Sequence, residues 1–128
     1  MTPLDVLLVD DEAEIRNLLM QWLEHEGHQV TCAANGIEAA EISQAKEFDL
    51  VITDMLMPES DGVKLISEIK KTRPNVRVIA ISGGGRVLES TDCLRLAKGL
   101  GAHAVVMKPF KRVQIMSAIT QLMAPQSV

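Results

Sequence analysis

The chain has 128 residues, 47% hydrophobic and 23% charged, with a formal net charge of −4, which suits one globular domain with its own core. That acidic balance argues against direct DNA binding through bulk electrostatics. No apolar run approaches the roughly 18 residues needed for membrane insertion.

The opening residues Met1-Thr2-Pro3-Leu4-Asp5 lack the basic head and apolar stretch of a signal peptide, so a cytoplasmic protein is expected. Cys32 and Cys93 form no CxxC or metal-ligand pattern and read as reduced, packing thiols. Aromatic residues are few, namely Trp22, Phe48 and Phe110. The core must therefore be built from aliphatic side chains and methionine.

Leu4 to Val9 is predicted as an apolar strand that ends abruptly in Asp10-Asp11-Glu12. A helix follows, with Ile15, Leu18, Leu19, Trp22 and Leu23 spaced three and four apart on one face. Gly27 stops it in the usual C-terminal position. His28 to Ala34 is a second strand, Asn35-Gly36 a turn or helix start, and Ile37 to Lys46 a short Ala-rich helix.

Asp49-Leu50-Val51-Ile52-Thr53 is a strand without alternation, as a strand buried on both faces requires. It runs into Asp54-Met55-Leu56-Met57-Pro58, then a loop carrying Asp61-Gly62. A helix from about Gly62 to Lys71 turns Val63, Ile66 and Ile69 inward. Val76 to Ile81 is the fourth strand, followed by Ser82-Gly83-Gly84-Gly85. A fourth helix, about Val87 to Leu100, ends between Gly99 and Gly101. Ala104 to Met107 is the fifth strand, closed by Lys108-Pro109-Phe110. The last helix, about Lys111 to Met123, is amphipathic through Val113, Met116, Ile119, Leu122 and Met123.

Strands that alternate with helices across short connections give the α/β class, with a parallel sheet covered on both faces. Right-handed crossovers leave few topologies. The expectation is a doubly wound, five-stranded parallel sheet in the flavodoxin-like order 2-1-3-4-5, flanked by five helices. Residues 1–124 form the domain and residues 125–128 a short tail.

In that topology Asp10, Asp11, Asp54, Ser82 and Lys108 all stand at the carboxyl ends of strands, so one sheet edge collects them. Each has a plainer role available. Asp54 could be a turn residue, Asp11 the cap of the first helix, and Lys108 a solvated lysine. Together they make three carboxylates that repel one another unless a cation intervenes. Oxygen ligands of this kind suit Mg2+, and a lysine ammonium and a hydroxyl suit a phosphoryl group. A nucleophile, a metal and charge neutralisation are what in-line phosphoryl transfer requires.

Over nearly its whole length the chain resembles the receiver domains of two-component response regulators. The resemblance rests on Val9-Asp10-Asp11, Asp54-Met55-Leu56-Met57-Pro58 with Asp61-Gly62, Ser82, and Lys108-Pro109-Phe110. It implies that Asp54 takes a phosphoryl group from a phosphohistidine of a sensor histidine kinase or histidine phosphotransfer protein. Asp11 and Asp54 would bind Mg2+ directly with the backbone carbonyl of Leu56, and Asp10 mainly through water. Lys108 would pair with the phosphoryl group, Ser82 would swing in to hydrogen-bond it, and the peptide before Pro109 would be cis. The domain would be a stand-alone switch, not a turnover enzyme. It would act through an output protein docked on the face of the fourth helix, fifth strand and last helix, where Arg95, Lys98, Lys111 and Arg112 place positive charge.

Three features depart from the family pattern. Val105 stands where an aromatic switch residue is common, and valine is small and stiff; His103 is a weak substitute and reads as a surface histidine. The run Gly83-Gly84-Gly85 and Leu56 offer no polar group to a hydrolytic water, so slow loss of the phosphoryl group is expected. Three other functions share these features in part. A relay would pass the phosphoryl group to a second histidine. A Mg-dependent aspartyl-phosphate phosphatase would want a second acid at Leu56. A flavin or nucleotide binder would want a phosphate loop and stacking aromatics.

Overall fold

The computed structural model describes residues 3–55, 62–83, 99 and 101–123. In chain order the elements are β1 (Asp5–Val9), α1 (Ala13–His25), β2 (Gln29–Ala33), α2 (Gly36–Ala45), β3 (Leu50–Asp54), α3 (Gly62–Thr72), β4 (Arg77–Ser82), β5 (Ala104–Met107) and α4 (Arg112–Met123). All five strands pair in parallel in the order β2-β1-β3-β4-β5. Four helices thus flank the sheet among the described residues. The helix predicted from about Val87 to Leu100 lies outside them apart from Gly99, which is helical. The predicted tail also lies outside them.

Strand side chains point alternately to opposite faces, and here both faces are buried. On β1, Val6 and Leu8 enter one cluster with Leu50 and Ile52 of β3, Ile79 and Ile81 of β4, Leu19 and Leu23 of α1, and Ile115 and Ile119 of α4. Leu7 and Val9 enter the other, with Val51, Val78, Ala80, Ala39 of α2, and Leu65, Ile66 and Ile69 of α3. This two-sided burial is why β1, β3 and β4 read as near-continuous apolar runs.

Element ends follow local chemistry. Gly27 has φ +93° at the end of α1, a conformation that L side chains avoid. Asn35 caps α2, its Oδ1 accepting from the Glu38 N–H at 2.9 Å. His28 is buried, and its Nδ1 accepts from the Leu4 N–H at 3.1 Å; burial holds its pKa below the ordinary imidazole value.

Two expected inward residues face solvent instead. Val113 is 67% exposed and Leu18 is also exposed. On α4 the apolar positions form two overlapping stripes, and the buried one runs through Ile115 and Ile119. Of the residues expected inward on α3, Ile66 and Ile69 are buried along with Leu65, while the side chain of Val63 lies outside the description.

Candidate functional site

Strand register brings the sheet's carboxyl edge together. Val9 pairs with Thr53, Asp54 with Ile81, and Ser82 with Met107. The backbone continues the ladder past the strand ends. The Met55 N–H donates to the Ile81 carbonyl at 2.9 Å, and the Lys108 N–H donates to the Ser82 carbonyl at 2.8 Å. Asp10, Asp54, Ser82 and Lys108 therefore share one edge.

Asp54 is 3% exposed. The Lys108 ammonium lies 3.3 Å from Asp54 Oδ2, 3.3 Å from Asp10 Oδ2 and 3.0 Å from Glu12 Oε1. Burial works against the Lys108 charge, but the hydrogen bond to Glu12 and the charges of Asp54, Asp10 and Glu12 hold its pKa above the usual lysine range. Asp10 is fully buried, at 0% exposure. Its Oδ1 accepts from the Glu12 N–H at 2.9 Å, and its carbonyl accepts from the Arg16 guanidinium. Burial, then the neighbouring Asp54 charge, push the Asp10 carboxyl up to about 6, against the lowering by the Glu12 N–H and Lys108.

Among the described residues, Asp10 Oδ2 is buried with no hydrogen-bond donor aligned to it and is met by the ion pair with Lys108. Asp10, Asp11, Glu12 and Asp54 each offer a carboxylate oxygen, and all four atoms lie within 4.8 Å of one another. Among the described residues, the Lys108 ammonium and the Arg16 guanidinium on the Asp10 carbonyl do not balance four carboxylates. An orphaned buried oxygen in an all-oxygen acidic cluster fits a hard divalent cation such as Mg2+.

The remaining predicted residues fall as follows. Asp11 is exposed and does not cap α1; Glu12 occupies the cap position. Ser82 is buried at the end of β4. The Lys108–Pro109 peptide is cis. Val105 is half-buried on β5 and packs on the cluster containing Val78 and Ala80. Leu56, with its carbonyl, lies outside the described residues, as do Pro58, Asp61, Gly84 and Gly85.

His103 is no free surface histidine. It is half-buried, and its ring Nδ1 accepts from the Val78 N–H at 3.1 Å while its backbone N–H donates to the Val78 carbonyl at 2.8 Å. It extends the β4–β5 pairing. Phe110 packs edge-on against Trp22 of α1, with ring centroids 6.1 Å apart, which ties the loop after Lys108 to the first helix.

Sequence reasoning passed over Glu12. The signal was present, since a third consecutive acid stands where a short capping side chain would serve the helix better.

The response regulator receiver domain model matches residues 6–120. The chain is 34% identical over 122 residues to sporulation initiation phosphotransferase F of Bacillus subtilis, covering 95% of each chain. It is 36% identical over 118 residues to chemotaxis protein CheY of Halobacterium salinarum, covering 92% of this chain and 95% of the relative. Among solved structures, the receiver domain of NtrX from Brucella abortus superposes with a TM-score of 0.87 at 31% identity, covering 95% of this chain and all of the other. With a family match over residues 6–120 and relatives at 34% and 36% identity covering nearly all of it, the chain belongs to the receiver domains of two-component response regulators.

Proposed function

We propose that Asp54 is the phosphoryl acceptor of this receiver domain. It takes the group from a phosphohistidine of a sensor histidine kinase or histidine phosphotransfer protein, in a Mg2+-dependent reaction. The observation that carries this is the buried Asp54 carboxylate held 3.3 Å from Lys108 at the sheet's carboxyl edge. An Asp54 oxygen attacks phosphorus, the O–P bond forms, and the P–N bond breaks as the imidazole leaves with its electron pair. Lys108 meets charge on a transferring phosphoryl oxygen, and Ser82 supplies a hydroxyl donor to another.

Mg2+, when bound, neutralises phosphoryl charge. Asp11 and Asp54 would hold it directly and Asp10 mainly through water, with the Leu56 carbonyl as a further ligand outside the described residues. The modified domain then acts through a partner protein on the face of β5 and α4. On that face Arg112 is already paired with Glu26 at 2.9 Å, which leaves Lys111 as the more available cation among the described residues. Val105 packs as a fixed apolar residue, so the signal leaves by a route other than an aromatic swing.

Incubation with Mg2+ and acetyl phosphate tests the chemistry. One base-labile phosphoryl group per chain is expected on the wild type, and none on Asp54→Asn. Repeated turnover of phosphate esters would contradict the reading and favour an enzyme.

A relay role is the second reading. It is favoured by 34% identity to a protein named a phosphotransferase, close to the 36% shared with a chemotaxis protein. Transfer from the loaded domain to a histidine phosphotransfer protein would select it.

A further inference from the structure

Glu12 sits at the cap of α1 with extended backbone (φ −88°, ψ 111°), yet its side chain makes no capping hydrogen bond. Asp, Asn, Ser and Thr serve that position because their short side chains fold back onto the first-turn N–H groups. The Glu12 carboxylate instead reaches a residue 96 positions away, accepting from Lys108 Nζ at 3.0 Å. That contact is shorter than those of the same ammonium to Asp10 and Asp54, both 3.3 Å. A lysine ammonium has three donors, and three carboxylates surround this one.

A phosphoryl group arriving on Asp54 needs an ammonium donor, so one of the three contacts must yield. Asp54 carries the new group. Asp10 is immobile, with 0% exposure and its Oδ1 fixed by a backbone N–H. Glu12 is long and its side chain is 59% exposed, so it alone can swing out to water at little cost. We propose that Glu12 is a positioning residue that competes with the phosphoryl group for Lys108, holding the ammonium over the site until the group displaces it. This rests on Asp54 being the acceptor.

The test is beryllofluoride binding at saturating Mg2+, measured by calorimetry on wild type, Glu12→Gln, Glu12→Asp and Asp54→Asn. Glutamine removes the charge. Aspartate keeps the charge, is one methylene too short to hold Lys108, and can cap the helix. Both Glu12 variants are expected to bind roughly two- to fivefold more tightly, the range of an exposed ion pair. Glu12→Asp is also expected to unfold at higher urea concentration.

A gain in Glu12→Gln with none in Glu12→Asp would mean bulk charge rather than contact, and would overturn the proposal. So would unchanged or weaker binding in both. Failure of the underlying reading looks different: either wild type does not bind, or Asp54→Asn binds as wild type does.

Discussion

Asp10 stands under two opposed demands. Its carboxylate belongs to a cluster suited to a divalent cation. Without one it is a buried charge whose Oδ2, among the described residues, has the Lys108 ion pair but no aligned hydrogen-bond donor. Its folded-state pKa of about 6 lies above the ordinary value of 3.8. The folded protein therefore holds an extra proton between those values, and this group's contribution to stability declines as pH rises from 3.8 to about 6.

Asp10→Asn removes that penalty. In metal-free buffer at pH 7 the variant is expected to be more stable than wild type by on the order of 1–3 kcal/mol. Urea unfolding with chelator measures it, and the advantage should vanish at pH 4. With Mg2+ the ranking should narrow or reverse, because ligand binding stabilises the folded state that binds it. A variant no more stable than wild type in chelator would contradict the account of Asp10.

At the scale of elements, burial separates residues that periodicity alone confuses. Ile119 is 1% exposed and Val113 is 67% exposed on the same helix. Ile119→Ala is expected to cost about 2–4 kcal/mol, and Val113→Ala less than about 0.5 kcal/mol. Chemical denaturation of the two variants checks this, and similar losses would place the inward stripe elsewhere.

The strands were legible to within a residue at their ends. β1, β3 and β4 are buried on both faces and read as near-continuous apolar runs. The edge strand β2, with Gln29 exposed, was marked instead by the Gly27 stop before it and the Asn35-Gly36 turn after it. The helices were legible as elements but less so as faces. On α1, Leu18 and Leu19 both satisfy the spacing, and only packing shows that Leu19 is the buried one. His103 looked like a surface residue because sequence does not show which side-chain nitrogen accepts a backbone N–H.

Across the whole molecule, the site was legible because parallel topology sends every strand's carboxyl end to one edge, which makes Asp10, Asp54, Ser82 and Lys108 neighbours. The ionic wiring among them was not. Nothing in the spacing says that Lys108 lies closer to Glu12 than to Asp54, since that depends on how a long side chain leaves the start of α1. The site also reaches beyond its edge through the loop after Lys108, where Phe110 rests on Trp22.

The central claim is that the modified residue is Asp54. Borohydride reduces an acyl phosphate on aspartate to homoserine, so trapping after exposure to Mg2+ and acetyl phosphate, followed by peptide mapping, reads the position itself. Homoserine at position 54, absent from Asp54→Asn and from chelator-treated protein, is the predicted result. Homoserine at position 10 or 11 in place of 54, or none in wild type under conditions that label it, would contradict the account.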